Sequence, residues 1–182
     1  METEIATKTK WVLDATHSEV HFKVKHLVIS TVTGTFKKFD GSLETESEDF
    51  NEANIQFSLD TTSIDTNQEQ RDAHLKSADF FDAENYPKIN FQSISFNKIS
   101  DHEYELVGNL TVKDVTKTVK LSAEYGGSAT DFYGNLKAGF EVTGKISRKD
   151  FGLTWSGITE AGAIVVGDEI KLNINVQFAK QG

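Results

Sequence analysis

Apolar and polar residues alternate one for one through segment after segment of this chain, a pattern that requires strands with one face buried and the other in water. Val20, Phe22 and Val24 alternate with Glu19, His21, Lys23 and Lys25, and Ile55, Phe57 and Leu59 with Asn54, Gln56, Ser58 and Asp60. Tyr104, Leu106, Leu110 and Val112 alternate with Glu103, Glu105, Asn109 and Lys113, and the rule continues through residues 119–125, 136–146 and 170–178. Adding Val32 to Phe36 and Ile89 to Phe96 gives about eight strands of antiparallel type. Parity slips near Ser93 and between Phe36 and Phe39. Both slips predict bulges, which add the bend that a closing sheet requires. Turn residues at Ser100-Asp101, Asp114, Gly126-Gly127, Gly134-Asn135 and Gly167-Asp168 separate the segments, so sequential neighbours are expected to pair. The expected product is an elongated barrel or sandwich.

One stretch departs from the alternation. Thr66-Asn67-Gln68-Glu69 has the spacing of a capping box and predicts a helix running to about Ala78. Arg71, His74, Leu75 and Ala78 fall on one face of that helix, with Asp72 and Lys76 elsewhere. Phe80 and Phe81 follow, and Pro87 opens the next strand, where no amide donor is required. The helix is expected to pack on one end of the barrel.

Composition excludes several kinds of function. The chain has 182 residues, with no repeat, linker or low-complexity tract, which fits a single domain. Its net charge of −9 comes with acids and bases intermixed, and no basic stripe is available to neutralise phosphates, so nucleic acid is not an expected partner. The absence of Cys removes disulfides, thiolate nucleophiles and Cys-based zinc sites. METEIATKTK lacks the apolar stretch of a signal peptide, so the chain as written is expected in the cytoplasm, or in the periplasm if a leader has been removed. His17 and His21 share a strand face but lie about 13 Å apart by strand rise, too far to chelate one ion, and no metal is expected.

A closed eight-stranded barrel either fills its interior with side chains or leaves room for one ligand, and alternation alone does not choose between them. Small residues at inward positions (Gly34, Gly108, Ala123, Ala138 and Gly144) favour a partly hollow interior. With no inward polar cluster, such a space would suit an extended apolar molecule.

The segments WVLDATHSEVHFKVKHLVISTVTGTF (11–36), SIDTNQEQRDAHLKSADFFDAENYPKINFQS (63–93), YELVGNLTVKDVTKTVKL (104–121) and GFEVTGKISRKDFGL (139–153) resemble those of the YceI-like, polyisoprenoid-binding family. The block RDAHLKSADFFDAENYP is the most specific, because it joins a helix, an aromatic pair and a strand start in fixed order. The resemblance implies an all-β protein: an extended, lipocalin-like barrel of eight antiparallel strands with one short helix inserted around residues 66–78. The barrel would occupy residues 11–180, behind a flexible segment of residues 1–10. Its interior would hold the tail of a polyisoprenoid, an isoprenoid quinone or a similar lipid, without catalysis or a cofactor, and the protein would be a possible homodimer.

The expected apolar lining is Phe22, Val24, Phe36, Phe57, Phe91, Leu106, Leu121, Phe140 and Val142. His26, Arg71, Asp72, His74 and Trp155 are the candidates for meeting a polar head at the mouth. For Arg71, Asp72 and His74 the competing role is a salt-bridged helix fixed to the rim, and for His26 a hydrogen-bonded core position. Residues 147–167 read as a long loop whose Phe151, Leu153, Trp155, Ile158 and Ile164 would serve as a lid, a core cap or a dimer contact. Two other functions compete with carriage. One is an interaction module with a filled barrel. The other is a lipid- or quinone-modifying enzyme, for which the sequence offers no nucleophile elbow, metal motif or phosphate loop.

Overall fold

A computed structural model describes residues 8–27, 29–46, 49–155 and 166–181. In chain order the elements are β1 (Thr9–Leu13), β2 (Glu19–His26), β3 (Ser30–Phe36), β4 (Phe39–Thr45), β5 (Asn54–Asp60), β6 (Ile64–Asp65), α1 (Glu69–Lys76), β7 (Lys88–Lys98), β8 (Glu103–Val112), β9 (Val115–Thr130), β10 (Leu136–Ser147) and β11 (Val166–Lys180). All pairings are antiparallel. The ring β1-β4-β5-β7-β8-β9-β10-β11 closes on itself through β11 and β1.

Three further strands lengthen this ring. One edge of β11 is taken by β10, so its other edge carries both β1, opposite Phe178 to Lys180, and β2, opposite Val166 to Asn175. β1 and β2 therefore lie end to end, and β3 with β4 and β6 with β5 repeat the arrangement on the next two strands. The predicted eight strands are thus present, the first three each broken in two. A 3-10 turn at Ala15–His17 makes the first break, and the Phe36–Phe39 slip is the second. At the first break Asp14 accepts from the Thr16 amide and hydroxyl and pairs with Lys137 on β10, so the kink is tied across β11 to the next strand of the ring.

One local expectation is met and several are corrected. The Ser93 bulge is present, as a register shift between Ser93 and Ser95 against β8. Gly126-Gly127, expected as a turn, lies inside β9. Gly127 pairs with Gly139 and Tyr125 with Phe140, leaving Gly126 as the extra residue of a bulge, with Gly127 at φ +112. Gly167-Asp168 lies inside β11, in a stretch where the register against β2 shifts. The capping box does not form: Gln68 occupies the N-cap without a side-chain bond, and the helix stops at Lys76. Thr66 instead gives its amide and hydroxyl to Asp72, at 2.8 and 2.5 Å.

Both ends of the barrel are apolar. At the base, the loop before β5 turns Phe50 inward with φ +65, where its ring meets Trp11, Tyr125 and Phe140 at 5.1–5.6 Å. This loop is fastened by Glu52 N–H to the Phe96 carbonyl, Lys98 N–H to the Asn51 side chain, and the Tyr104 hydroxyl to the Asp49 carbonyl. At the other end Val20, Phe36, Leu59, Ile64, Ile89 and Val112 meet Phe151 and Leu153, with Leu75 and Phe81 against them.

Phe50→Ala is expected to cost about 3–5 kcal/mol of folding stability in a denaturant titration, the range for emptying a well-packed aromatic site. Lys137 and the Thr16 hydroxyl hold the Asp14 carboxyl below the ordinary carboxylate range, against a smaller opposing effect of burial. A depressed carboxyl stabilises the fold above its unfolded pKa, and the contribution is lost as pH falls through the folded value. Asp14→Asn is therefore expected to be less stable than the parent at neutral pH, by ~1–2 kcal/mol. The gap should shrink as pH drops below ~4, measured as paired thermal melts across that range.

Candidate functional site

The inward faces of the strands enclose a cavity of about 210 Å³ that extends between the two apolar ends, and the surface facing it is carbon throughout. An apolar cavity of this order offers water no partners and stays dry, so it is a site for a hydrocarbon rather than for solvent. All nine residues expected as lining (Phe22, Val24, Phe36, Phe57, Phe91, Leu106, Leu121, Phe140 and Val142) border it, placed there by strand parity alone. Phe96 and Phe178 approach from the base, and Leu75, Phe80, Phe81, Phe151 and Leu153 from the opposite end.

Glycines shape this wall. A Cβ on Gly34 would sit 2.2 Å from the Phe22 ring, one on Gly108 2.3 Å from the Phe91 ring, and one on Gly144 2.3 Å from a Leu121 methyl. Each of these large side chains lies across a neighbouring strand, over the place where a side chain would otherwise stand. They are folded along the wall instead of standing into the lumen. Ala123 and Ala138 are buried among the aromatic residues of the base.

The five mouth candidates divide. Arg71 donates from Nε to the Thr66 hydroxyl and from Nη2 to the Thr66 carbonyl, while Asp72 accepts from the same residue. Together they secure the turn before α1, which is the helix-fixing role, and neither borders the cavity. His74 is hydrogen-bonded to Asp79 at 2.9 Å and meets the rings of Phe80 and Trp155 edge-on at 5.2 and 4.7 Å. His74 and Trp155 thereby join the helical insert to the segment after β10, just outside the lining. His26 is half-buried at the end of β2, paired with Val166 and Ser30, and also stands outside the lining.

Arg148 was not anticipated. It is 3% exposed, borders the cavity, and gives its guanidinium hydrogens to the carbonyls of Leu153, Trp155, Val166 and Gly167 at 2.6–3.1 Å. Burial pushes its pKa below the usual guanidinium value, and the Asp168 carboxylate opposes that shift. The side chain faces the lumen with carbon while its charge is consumed by backbone, so it acts as a clasp between the segment after β10 and the start of β11. Phe151 and Leu153 are buried at the cavity end, as the core-cap reading of this segment expects; Ile158 and Ile164 lie outside the described residues.

Among the described residues no group of three His, Asp or Glu side chains could hold a metal ion. His17 instead pairs with Asp14, and His21 with Glu19. Arg148→Met is expected to leave several buried carbonyls unpaired and to cost ~2–4 kcal/mol in chemical denaturation.

Comparison with known proteins places this geometry. A family sequence model, that of the YceI-like domain, matches residues 11–178. The chain is 38% identical over 161 residues to a UPF0312 protein of Serratia proteamaculans, covering 88% of this chain and 80% of that one. The crystal structure of a Campylobacter jejuni YceI protein superposes with a TM-score of 0.73 at 34% identity, over 87% of this chain and 90% of the other. A polyisoprenoid binding domain from Saccharophagus degradans shares the fold at 14% identity, with a TM-score of 0.67 and coverage of 98% and 100%. The chain belongs to the YceI-like family.

Proposed function

We propose that this protein is a non-catalytic carrier that holds the tail of a long apolar amphiphile, a polyisoprenoid, isoprenoid quinone or similar lipid, inside the barrel. The observation that carries the reading is the continuous, carbon-faced cavity between the aromatic base and the capped opposite end. The driving force would be removal of the tail from water, at ~0.8 kcal/mol per methylene. Carbon walls confer affinity in proportion to buried length and little selectivity for the head group. The binding named for the Saccharophagus domain fits this chemistry.

The nine lining residues would contact the tail. His74 and Trp155, at the seam between the two capping segments, would stand nearest a head group, whereas Arg71 and Asp72 would act only by holding the helical insert in place. An interaction module built on a filled barrel accounts less well for the open space.

The test begins with native mass spectrometry of protein purified from its own host, followed by lipid extraction. A stoichiometric prenyl or other long-chain lipid is expected; protein that carries none and also takes up no added isoprenoid would sink the carrier reading. Val142→Phe, which adds a ring at the lining, is expected to weaken binding of a long-chain fluorescent probe at least tenfold while the thermal transition is kept.

A further inference from the structure

We propose that the free edge of β9 over residues 126–130 is a docking site for an extended, basic peptide segment of another protein, which adds there as a strand. The inference is independent of what the barrel holds. β8 accompanies β9 only as far as the Glu103–Glu124 pair, with one further bond from the Tyr125 amide to the His102 carbonyl. Beyond that point β9 continues to Thr130 paired with β10 alone. Over about 17 Å of strand, one row of main-chain donors and acceptors therefore has no partner strand among the described residues. Residues 126–130 are all exposed, and a Cβ on Gly127 would meet nothing within 4 Å. Strand edges are ordinarily blunted by charge, proline or a covering segment. This one reads Gly-Gly-Ser-Ala-Thr, with only the bulge at Gly126 at its root.

The open edge fixes the class of partner. Unpaired amides and carbonyls along a strand are satisfied together only by another extended main chain. The vacant place is the continuation of β8, in the end-to-end manner by which β1 and β2 share β11.

Charge fixes the partner's sign. At the root of the edge Glu103, Glu124 and Glu141 stand opposite one another across β8, β9 and β10, all exposed. None of the three is in an ion pair among the described residues. Like charges directly opposite are destabilising in a sheet, and a lysine or arginine at the end of an added strand that abuts β8 would relieve them. At the far end of the edge the β9–β10 turn holds out Phe132 and Tyr133, the only exposed Phe, Tyr or Trp side chains among the described residues. The turn is closed by the Asp131 carboxylate, which accepts from the amides of Tyr133 and Asn135, both at 2.9 Å. The two rings offer the other end of the peptide an apolar or cation–π contact. A second copy of this chain is the poorer occupant, because it brings a further net charge of −9 and its own residues 125–136 contain no Lys or Arg.

The experiment is selection of a random heptapeptide library on the intact chain, followed by synthesis of an enriched sequence with a fluorophore. Enriched peptides are expected to carry Lys or Arg. The synthetic peptide should slow amide hydrogen exchange at residues 126–130. It should bind at least tenfold more weakly to the Glu103→Gln/Glu124→Gln variant, which leaves the edge itself untouched, with a thermal melt confirming the fold. N-methylation of alternate peptide amides should abolish binding in one of the two alternating sets and spare it in the other, because successive amides of an added strand point to opposite sides. A contact made by side chains alone would treat the two sets alike. No enriched sequence, slowed exchange elsewhere than on this edge, or an equal response to the two methylation sets would overturn the proposal. So would a concentration-dependent dimer in sedimentation velocity whose dissociation exposes residues 126–130, since the occupant would then be a second copy. None of these outcomes bears on the carrier reading, which stands or falls on the extracted lipid.

Discussion

Everything in this fold depends on one edge of β11. The strand pairs with β10 along one side, and on the other it accepts both β1 and β2, end to end. That shared edge turns a sheet with two exposed margins into a ring with its backbone groups satisfied around the circumference. Closure fixes which residues face inward, and a lumen lined on every side exists only because the ring is complete. The Asp14–Lys137 pair matters in the same way, since it holds the kink that lets two short strands follow one long partner.

Once closed, the ring has more inward surface than its side chains fill. The two ends are handled differently. At the base an isolated aromatic, Phe50, is driven in from a loop and surrounded by other rings. At the opposite end the cover is assembled from two separate inserts, the segment containing α1 and the segment following β10, which meet through His74, Phe80 and Trp155. The base is thus part of the folded core, while the other end is closed by pieces that the barrel does not need for its own pairing.

Strand parity was legible in the sequence to a large degree. Alternation located one segment along each of the eight wall positions and placed the nine lining residues on the cavity side, because side-chain direction in a regular strand follows position modulo two. It missed β1, β4 and β6, which are short and offset from their continuations by a kink, a slip and the 3-10 turn at Thr61–Ser63. Gly126-Gly127 and Gly167-Asp168 were read as turns because glycine marks backbone freedom without saying whether a turn or a bulge uses it. Thr66 had the right spacing for a capping box, but its amide and hydroxyl donate to Asp72 and its hydroxyl oxygen accepts from Arg71 instead of from a helix amide. Phe50 could have been noticed as a lone aromatic in an acidic stretch. Arg148 had no comparable signal, since its partners are carbonyls, which every sequence supplies everywhere. The wall glycines were half visible: small inward residues were evident, but not which side chains would lean over them.

The order in which the ring is made has a consequence during synthesis. β11 is the last barrel strand to be translated, yet the first two strands depend on its edge for their closing partner, at sequence separations of roughly 140 to 170 residues. At ~5–20 residues per second the amino-terminal strands are exposed for several seconds, or considerably longer, before that edge exists. Local hairpins such as β8–β9 and β9–β10 can form early, but the seam is a high-contact-order event and should be late. Until it closes, the open sheet presents two free edges and an uncovered apolar face, which is the state in which a chaperone or a lipid already at hand would have the most to gain from binding.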